Sequence, residues 1–250
     1  MSDGVVRVRI LGVGMGPQHV TAEVAEALRS ADYVVAAEKG EDDHLLAVRR
    51  EICRLHGDPP VVAVADPERD RTGTSDVPRY ERAVSEWHEA RVAAYERVLA
   101  ERGGTAAFLV WGDPSLYDST IRIVEAVAER GRVEVAYDVL PGVAAAQLLA
   151  ARHRIVLHDV GQPVHVTTGR RLREAIDAGQ RNVVVMLNRT LDLAGLEDWS
   201  VWWGANLGTT GEALVAGRVG DVLGEIEAAR ERVRAAAGWV LDVYLLRAPQ

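Results

Sequence analysis

The first half of the chain alternates two patterns of hydrophobic positions: short, mostly apolar runs, and stretches with an apolar residue every three or four places. Val5 to Val13 is largely apolar and reads as a buried strand, broken by Gly12-Val-Gly-Met-Gly-Pro17. Thr21 stands as an N-cap with Glu23 in the first turn, and the helical period continues to Ala31. Asp32 to Ala37 predicts a second strand, and Leu45, Val48, Ile52 and Leu55 share one face of a helix over His44 to His56. Val61 to Ala65 is a third strand. The polar segment Asp66 to Pro78 that follows is long for a connection, which marks it as a functional loop able to close over a ligand. Tyr80 to Arg102 is a helix stopped by Gly103-Gly104. Ala106 to Trp111 is an apolar strand ending in Gly112-Asp113-Pro114. A helix over Ser119 to Arg130, a strand over Val133 to Leu140 and a helix opened by Pro141-Gly142 and running through Ala151 complete the series. Strand–helix alternation of this kind predicts a parallel sheet covered by helices.

The rhythm then changes. Val164 to Thr168, Asn182 to Leu187, Val201 to Ala205 and Trp239 to Leu246 read as strands, with helices only over Arg170 to Ala178 and Glu212 to Ala235. The expectation is an α/β chain of two domains, 1–113 and 114–250, the first parallel-rich and the second a mixed sheet with more antiparallel pairing.

Composition narrows the function. With 250 residues, 48% hydrophobic and 26% charged, the chain is long enough for a substantial core. A formal net charge of −8 disfavours nucleic acid or an anionic membrane as partner. A single cysteine, Cys53, excludes an internal disulfide and a multi-cysteine metal site, and its place on an apolar helix face predicts an inert thiol. The seven histidines show no metal-binding spacing. No apolar run approaches 18 residues and no signal-peptide pattern opens the chain, so a soluble cytoplasmic protein is expected.

Three glycine-bearing strand ends could meet a ligand. Gly12-Val-Gly-Met-Gly-Pro17 lacks the dinucleotide spacing and equally fits a tight turn. Trp111-Gly-Asp-Pro-Ser-Leu-Tyr-Asp-Ser-Thr120 offers a close backbone approach and a carboxylate at Asp113, or a plain strand-to-helix turn capped by Ser119. Leu140-Pro-Gly-Val-Ala-Ala-Ala146 has small residues that admit a ligand or close packing. Arg49-Arg50, Arg69 with Arg71, and Arg170-Arg171 are paired cations, read either as a solvated face or as carboxylate grips. Trp111, Trp202 and Trp203 end strands where a cleft would lie.

Taken together, the three loops resemble those of the class III S-adenosylmethionine-dependent tetrapyrrole methylases. The longer blocks Phe108 to Thr120, Thr167-Thr-Gly-Arg-Arg-Leu172 and Gly238 to Arg247 are similar to a branch of that family that works on corrin precursors. The resemblance departs at Glu38 and Asn188, where Asp is usual, and at Asn206, where an aromatic is usual. It implies the two-domain methylase fold with the cofactor cleft between the domains. It also implies methyl transfer from S-adenosylmethionine to C1 of precorrin-5, with loss of an acetyl group as acetate, in aerobic cobalamin synthesis by a homodimer. Methylation of another corrin-ring carbon, or a non-catalytic tetrapyrrole-binding protein of the same fold, are the alternatives. The carried-over cofactor positions are Pro17, Trp111, Gly112, Asp113, Leu116, Ala144, Ala145, Leu187 and Ala205. Arg49, Arg69, Arg71, Arg170 and Arg171 would pair substrate carboxylates, and no metal is expected. Tyr117, Asp118 and Asp242 are candidates for activating water, and each also reads as a structural group.

Overall fold

The computed structural model describes residues 4–38, 44–67 and 77–249. The chain falls into two compact units, Met1–Val143 and Ala144–Gln250.

In the first unit the strands are β1 (Val6–Gly12), β2 (Tyr33–Glu38), β3 (Val61–Ala65), β4 (Thr105–Val110) and β5 (Val135–Leu140). They form one parallel sheet in the order β3-β2-β4-β1-β5. The helices are α1 (Ala22–Arg29), α2 (His44–Leu55), α3 (Val77–Arg102) and α4 (Thr120–Arg130). Alternation along β1 and β4 sorts their side chains between two cores. Leu11, Val13, Ala107 and Leu109 pack against Val24 and Leu28 of α1 and Ile52 of α2. Val8, Ile10, Phe108 and Val110 pack against Val92 and Leu99 of α3 and Ile123 and Val127 of α4. Thus α1 and α2 cover one face, and α3 and α4 the other. Thr21 caps α1 as expected, its hydroxyl accepting the Val24 N–H at 3.2 Å.

The division of the chain lies thirty residues beyond the expected one at 113/114. The reason is β5. It pairs with β1 over its whole length, from Val6–Val135 to Leu11–Leu140, so Pro114 to Val143 belongs to the first sheet and not to the second.

The second unit contains α5 (Ala145–His153), β6 (His165–Thr168), α6 (Leu172–Asp177), β7 (Asn182–Met186), β8 (Ser200–Ala205), β9 (Ala213–Arg218), α7 (Val219–Ala237) and β10 (Asp242–Arg247). The sheet order is β6-β7-β10-β8-β9, parallel only between β6 and β7, so the mixed character holds. Trp203, Tyr244, Val183 and Val185 meet Ile226 and Ala229 of α7 on one face. On the opposite face α5 lies so close that a Cβ on Gly204 would stand 2.9 Å from Leu149 Cδ1. The helix expected from Glu212 instead begins at Val219. Ala213–Arg218 is a strand, because its apolar run suits either period and the free edge of β8 takes it in full antiparallel register.

Candidate active site

In an open parallel sheet, ligands bind outside the carboxyl ends of strands where neighbouring connections leave in opposite directions. Here that place is between β1, which leaves toward α1, and β4, which leaves toward α4 on the other face. Both strands end in the glycine loops singled out above. The Gly112 N–H donates to the Gly14 carbonyl at 2.8 Å, and the Gly14 N–H returns a bond to Gly112 at 3.1 Å. Gly112 holds φ 75°, a left-handed turn that favours glycine. The third loop joins through Gly142: a Cβ there would lie 2.2 Å from the Gly112 carbonyl oxygen and 2.6 Å from that of Gly12. Only backbone against backbone fits where the three loops meet.

Asp113 staples this arrangement. Its Oδ1 accepts from Ser115 Oγ and from the Ser115 N–H at 2.9 Å, while Oδ2 accepts the Gly142 N–H at 2.9 Å. Burial pushes the carboxyl up, but the bonds from Ser115 Oγ, Gly142 N–H and Ser115 N–H outweigh it and hold the group below the usual aspartate value. Asp113 is therefore an ionised loop tie. The Leu116 N–H closes the turn on the Asp113 carbonyl at 3.2 Å. Tyr117 follows at φ 53°, its side chain exposed. Asp118 Oδ1 accepts the Thr120 N–H at 2.6 Å, opening α4 in the role expected of Ser119, which makes no such cap. Pro17 begins a short 3-10 turn after Gly16.

The other expected positions lie in the second unit. Ala144 caps α5, its N–H donating to Gln147 Oε1 at 2.7 Å, and Ala145 is the first helical residue. Leu187 follows β7 at φ 55° and is half exposed, whereas Ala205 ends β8 fully buried. Asn206 is also left-handed, at φ 47°, and its buried amide clasps the next segment: Oδ1 accepts the Leu241 N–H at 2.8 Å. An aromatic could not make that bond. At the same end of the sheet Thr168 Oγ1, Asn188 Oδ1 and Asp242 Oδ1 are buried with no partner among the described residues, which makes this end rich in acceptors.

Asp242 cannot serve as a base for water. Its side chain is 1% exposed, and Oδ2 accepts from Arg230 Nε at 2.9 Å and Trp203 Nε1 at 3.1 Å. It is a structural ion pair between β10 and α7. Trp203 accordingly sits in the core and lines no cleft, and Trp202 lies under the Arg247 guanidinium at 5.2 Å. Cys53 is inert as expected, since burial pushes its thiol up to about 11.

The arginines divide. Arg49 of α2 donates Nε to the Leu109 carbonyl at the end of β4, at 2.9 Å. Arg171 sets its fork on Glu174 at 2.9 and 2.7 Å, an exposed pair within one helical turn, with Arg170 exposed beside it. Arg69 and Arg71, with most of the loop Asp66 to Pro78, lie outside the described residues. A partly buried cation missed in the sequence reading is Arg91 of α3, paired with Asp66 at 2.7 Å and stacked 4.6 Å from the Trp87 ring. Its 25-residue separation from Asp66 hides the pair from any local pattern.

The family profile of the tetrapyrrole (corrin/porphyrin) methylases matches residues 7–223. A precorrin-6A synthase [deacetylating] of Sinorhizobium sp. is 43% identical over 98% of this chain and 96% of its own. Among solved structures, a cobalamin synthesis related protein (CobF) from Corynebacterium diphtheriae superposes with a TM-score of 0.84 at 35% identity, covering 98% of this chain and 100% of that one. A cobalt precorrin-4 methyltransferase shares the fold, with a TM-score of 0.61 at 18% identity over 96% of this chain and 94% of that one.

Proposed function

The chain belongs to the tetrapyrrole (corrin/porphyrin) methylases, and from that membership we propose that it methylates C1 of precorrin-5 with S-adenosylmethionine and releases acetate, yielding precorrin-6A. It is a methyltransferase of cobalamin biosynthesis. The observation that carries the reading is the meeting of three backbone-lined loops at the switch between β1 and β4. Their fit to the cofactor rests on main chain held in close approach at glycines, with Asp113 already committed to tying it. The 43% identity to a deacetylating precorrin-6A synthase across nearly the whole chain supports the choice of substrate.

The cofactor positions that the resemblance implies are Pro17, Trp111, Gly112, Asp113, Leu116, Ala144, Ala145, Leu187 and Ala205. When bound, S-adenosylmethionine supplies an electrophilic methyl group on a sulfonium. In-line displacement gains most from orientation and exclusion of water, so a site made of fixed main chain suits it. Loss of the acetyl group forms a bond from water oxygen to the acetyl carbon and breaks the ring–acetyl bond, its electron pair staying on the macrocycle. Tyr117 and Asp118, beside the cofactor loop, are the remaining groups to take the water proton. Arg49 and Arg170 grip substrate carboxylates, and Arg171 joins them on leaving Glu174.

The enzyme works in the cytoplasm as a homodimer. No helix among the described residues is long and apolar enough to cross a membrane, and no group of His, Cys, Asp and Glu there could hold a metal ion. Incubation with precorrin-5 and S-adenosylmethionine tests the reading. Mass analysis should find one methyl gained, one acetyl lost, and acetate in equal amount. Methylation without acetate would favour another ring carbon, and no turnover despite tetrapyrrole binding would favour a non-catalytic protein.

A further inference from the structure

The ladder between β2 and β4 is short. It runs only from Tyr33–Ala106 to Val35–Phe108, although β2 continues beside β3 to Glu38 and β4 beside β1 to Val110. Past Phe108 the two strands part at their carboxyl ends. The Leu109 carbonyl, which would otherwise have bonded β2, accepts Arg49 Nε instead. Val110 and Gly112 turn their carbonyls to β1, where the N–H groups of Val13 and Gly14 bond them. By alternation the peptide of Trp111 between them faces the gap beside β2. Ala107 and Leu109 pack on the α2 side of the sheet. By the same alternation Trp111 follows Ala107 and Leu109 toward the face that α2 covers. Its indole Nε1–H is buried and has no partner among the described residues. A buried donor left without an acceptor is rare and calls for one.

We propose that the Trp111 indole and the Arg49 guanidinium form a carboxylate subsite in the gap between β2 and β4, and that it grips a side-chain carboxylate of the tetrapyrrole. A guanidinium and an indole N–H on one carboxylate make a charge-assisted set of bonds. S-adenosylmethionine also bears a carboxylate. The tetrapyrrole carries many carboxylates, and we assign the subsite to it, with S-adenosylhomocysteine as the control. This inference rests on the methylase reading above.

Calorimetry with uroporphyrin III, an octacarboxylate, and with S-adenosylhomocysteine tests it on wild type and on Trp111→Phe, which deletes the N–H and keeps a ring. Trp111→Phe should weaken uroporphyrin about tenfold or more and leave S-adenosylhomocysteine unchanged. Arg49→Gln combined with it should lose less than the sum of the two single losses, because both act on one group. Unchanged uroporphyrin affinity in the folded variant, or strictly additive losses, overturns the subsite. Loss of S-adenosylhomocysteine affinity overturns its assignment to the substrate. If wild type binds neither ligand, the methylase reading itself fails, which is a different result. If Trp111→Phe does not fold, the six tryptophan indole N–H resonances of labelled wild type serve instead. None moving on addition of uroporphyrin overturns the proposal, and one moving with uroporphyrin but not with S-adenosylhomocysteine supports it.

Discussion

Where β4 of the first unit ends, the chain turns on Gly112 at φ 75°; where β7 and β8 of the second unit end, it turns on Leu187 at φ 55° and Asn206 at φ 47°. The first turn needs no side chain, and its neighbours Gly12 and Gly142 have none, so main chain packs on main chain. The second keeps side chains and must give them partners. Asn206 clasps Leu241, and Arg230 reaches from α7 to Asp242 and to the Asn188 and Arg189 carbonyls. One end is held by close approach and a single carboxylate tie, the other by a buried polar network. The first therefore fails by crowding, and the second by losing a partner.

The largest effect is expected in the second unit. Arg230→Met strands the Asp242 carboxylate in the core and should cost about 3–5 kcal/mol in urea unfolding. Adding Asp242→Leu removes the stranded charge and should recover much of that loss, though Trp203 Nε1 then loses its acceptor. If the double variant is no better than the single, the network holds by geometry and not by charge.

Crowding comes next. Gly142→Ala puts a methyl into the Gly112 carbonyl and should cost roughly 2–3 kcal/mol while abolishing S-adenosylhomocysteine binding. Gly131→Ala, at the end of α4 with nothing within 4 Å, pays only for its left-handed backbone, about 1 kcal/mol, and should bind normally. Equal losses at the two sites would erase the contrast between close approach and simple turning.

Acid separates the units more gently. The folded Asp113 carboxyl is held below its ordinary value, so its contribution is present above the unfolded-state value of 3.8 and is lost as pH falls through the lower folded one. Asp113→Asn should lower stability at pH 7 and flatten the wild-type decline below about pH 4. A decline of unchanged steepness would mean that another carboxylate carries it.

The strands and helices of the first unit were legible because their patterns are clear: β4 is a continuous apolar run, β1 is apolar but for Arg7 and Arg9, and a glycine loop ends each. The boundary at Val143 was not, since β5 reads as a strand but nothing local says that it returns to β1 across the sheet. Ala213–Arg218 was misread because an apolar run that short fits both periods and only the edge of β8 decides. Of the candidate site, the loops that carry glycine were visible, and their convergence follows from strand order. The fates of Asp242 and Trp203 were hidden, because Arg230 reaches them only through the fold. A side chain's partner across many residues leaves no local trace.

The smallest expected effect tests why Leu187 keeps its side chain. A leucine in the left-handed region costs about 1–2 kcal/mol of backbone strain, and Leu187 is half exposed, so burial does not offset it. Leu187→Gly relieves the strain but adds chain entropy of roughly 0.5–1 kcal/mol to the unfolded state. The net should be a stabilisation of at most about 1 kcal/mol, or some 2–4 °C in Tm for a chain of this size. Asn206→Gly is the counterpart. It relieves the same backbone but removes the acceptor of the buried Leu241 N–H, so it should destabilise. Side chains at strained positions persist where something uses them, and Asn206 has its use inside the fold. For Leu187 the proposed use is the cofactor, so Leu187→Gly should be the more stable protein and the weaker binder of S-adenosylhomocysteine. A variant that melts higher with affinity intact would show that the leucine serves no ligand there, and that position would leave the cofactor site.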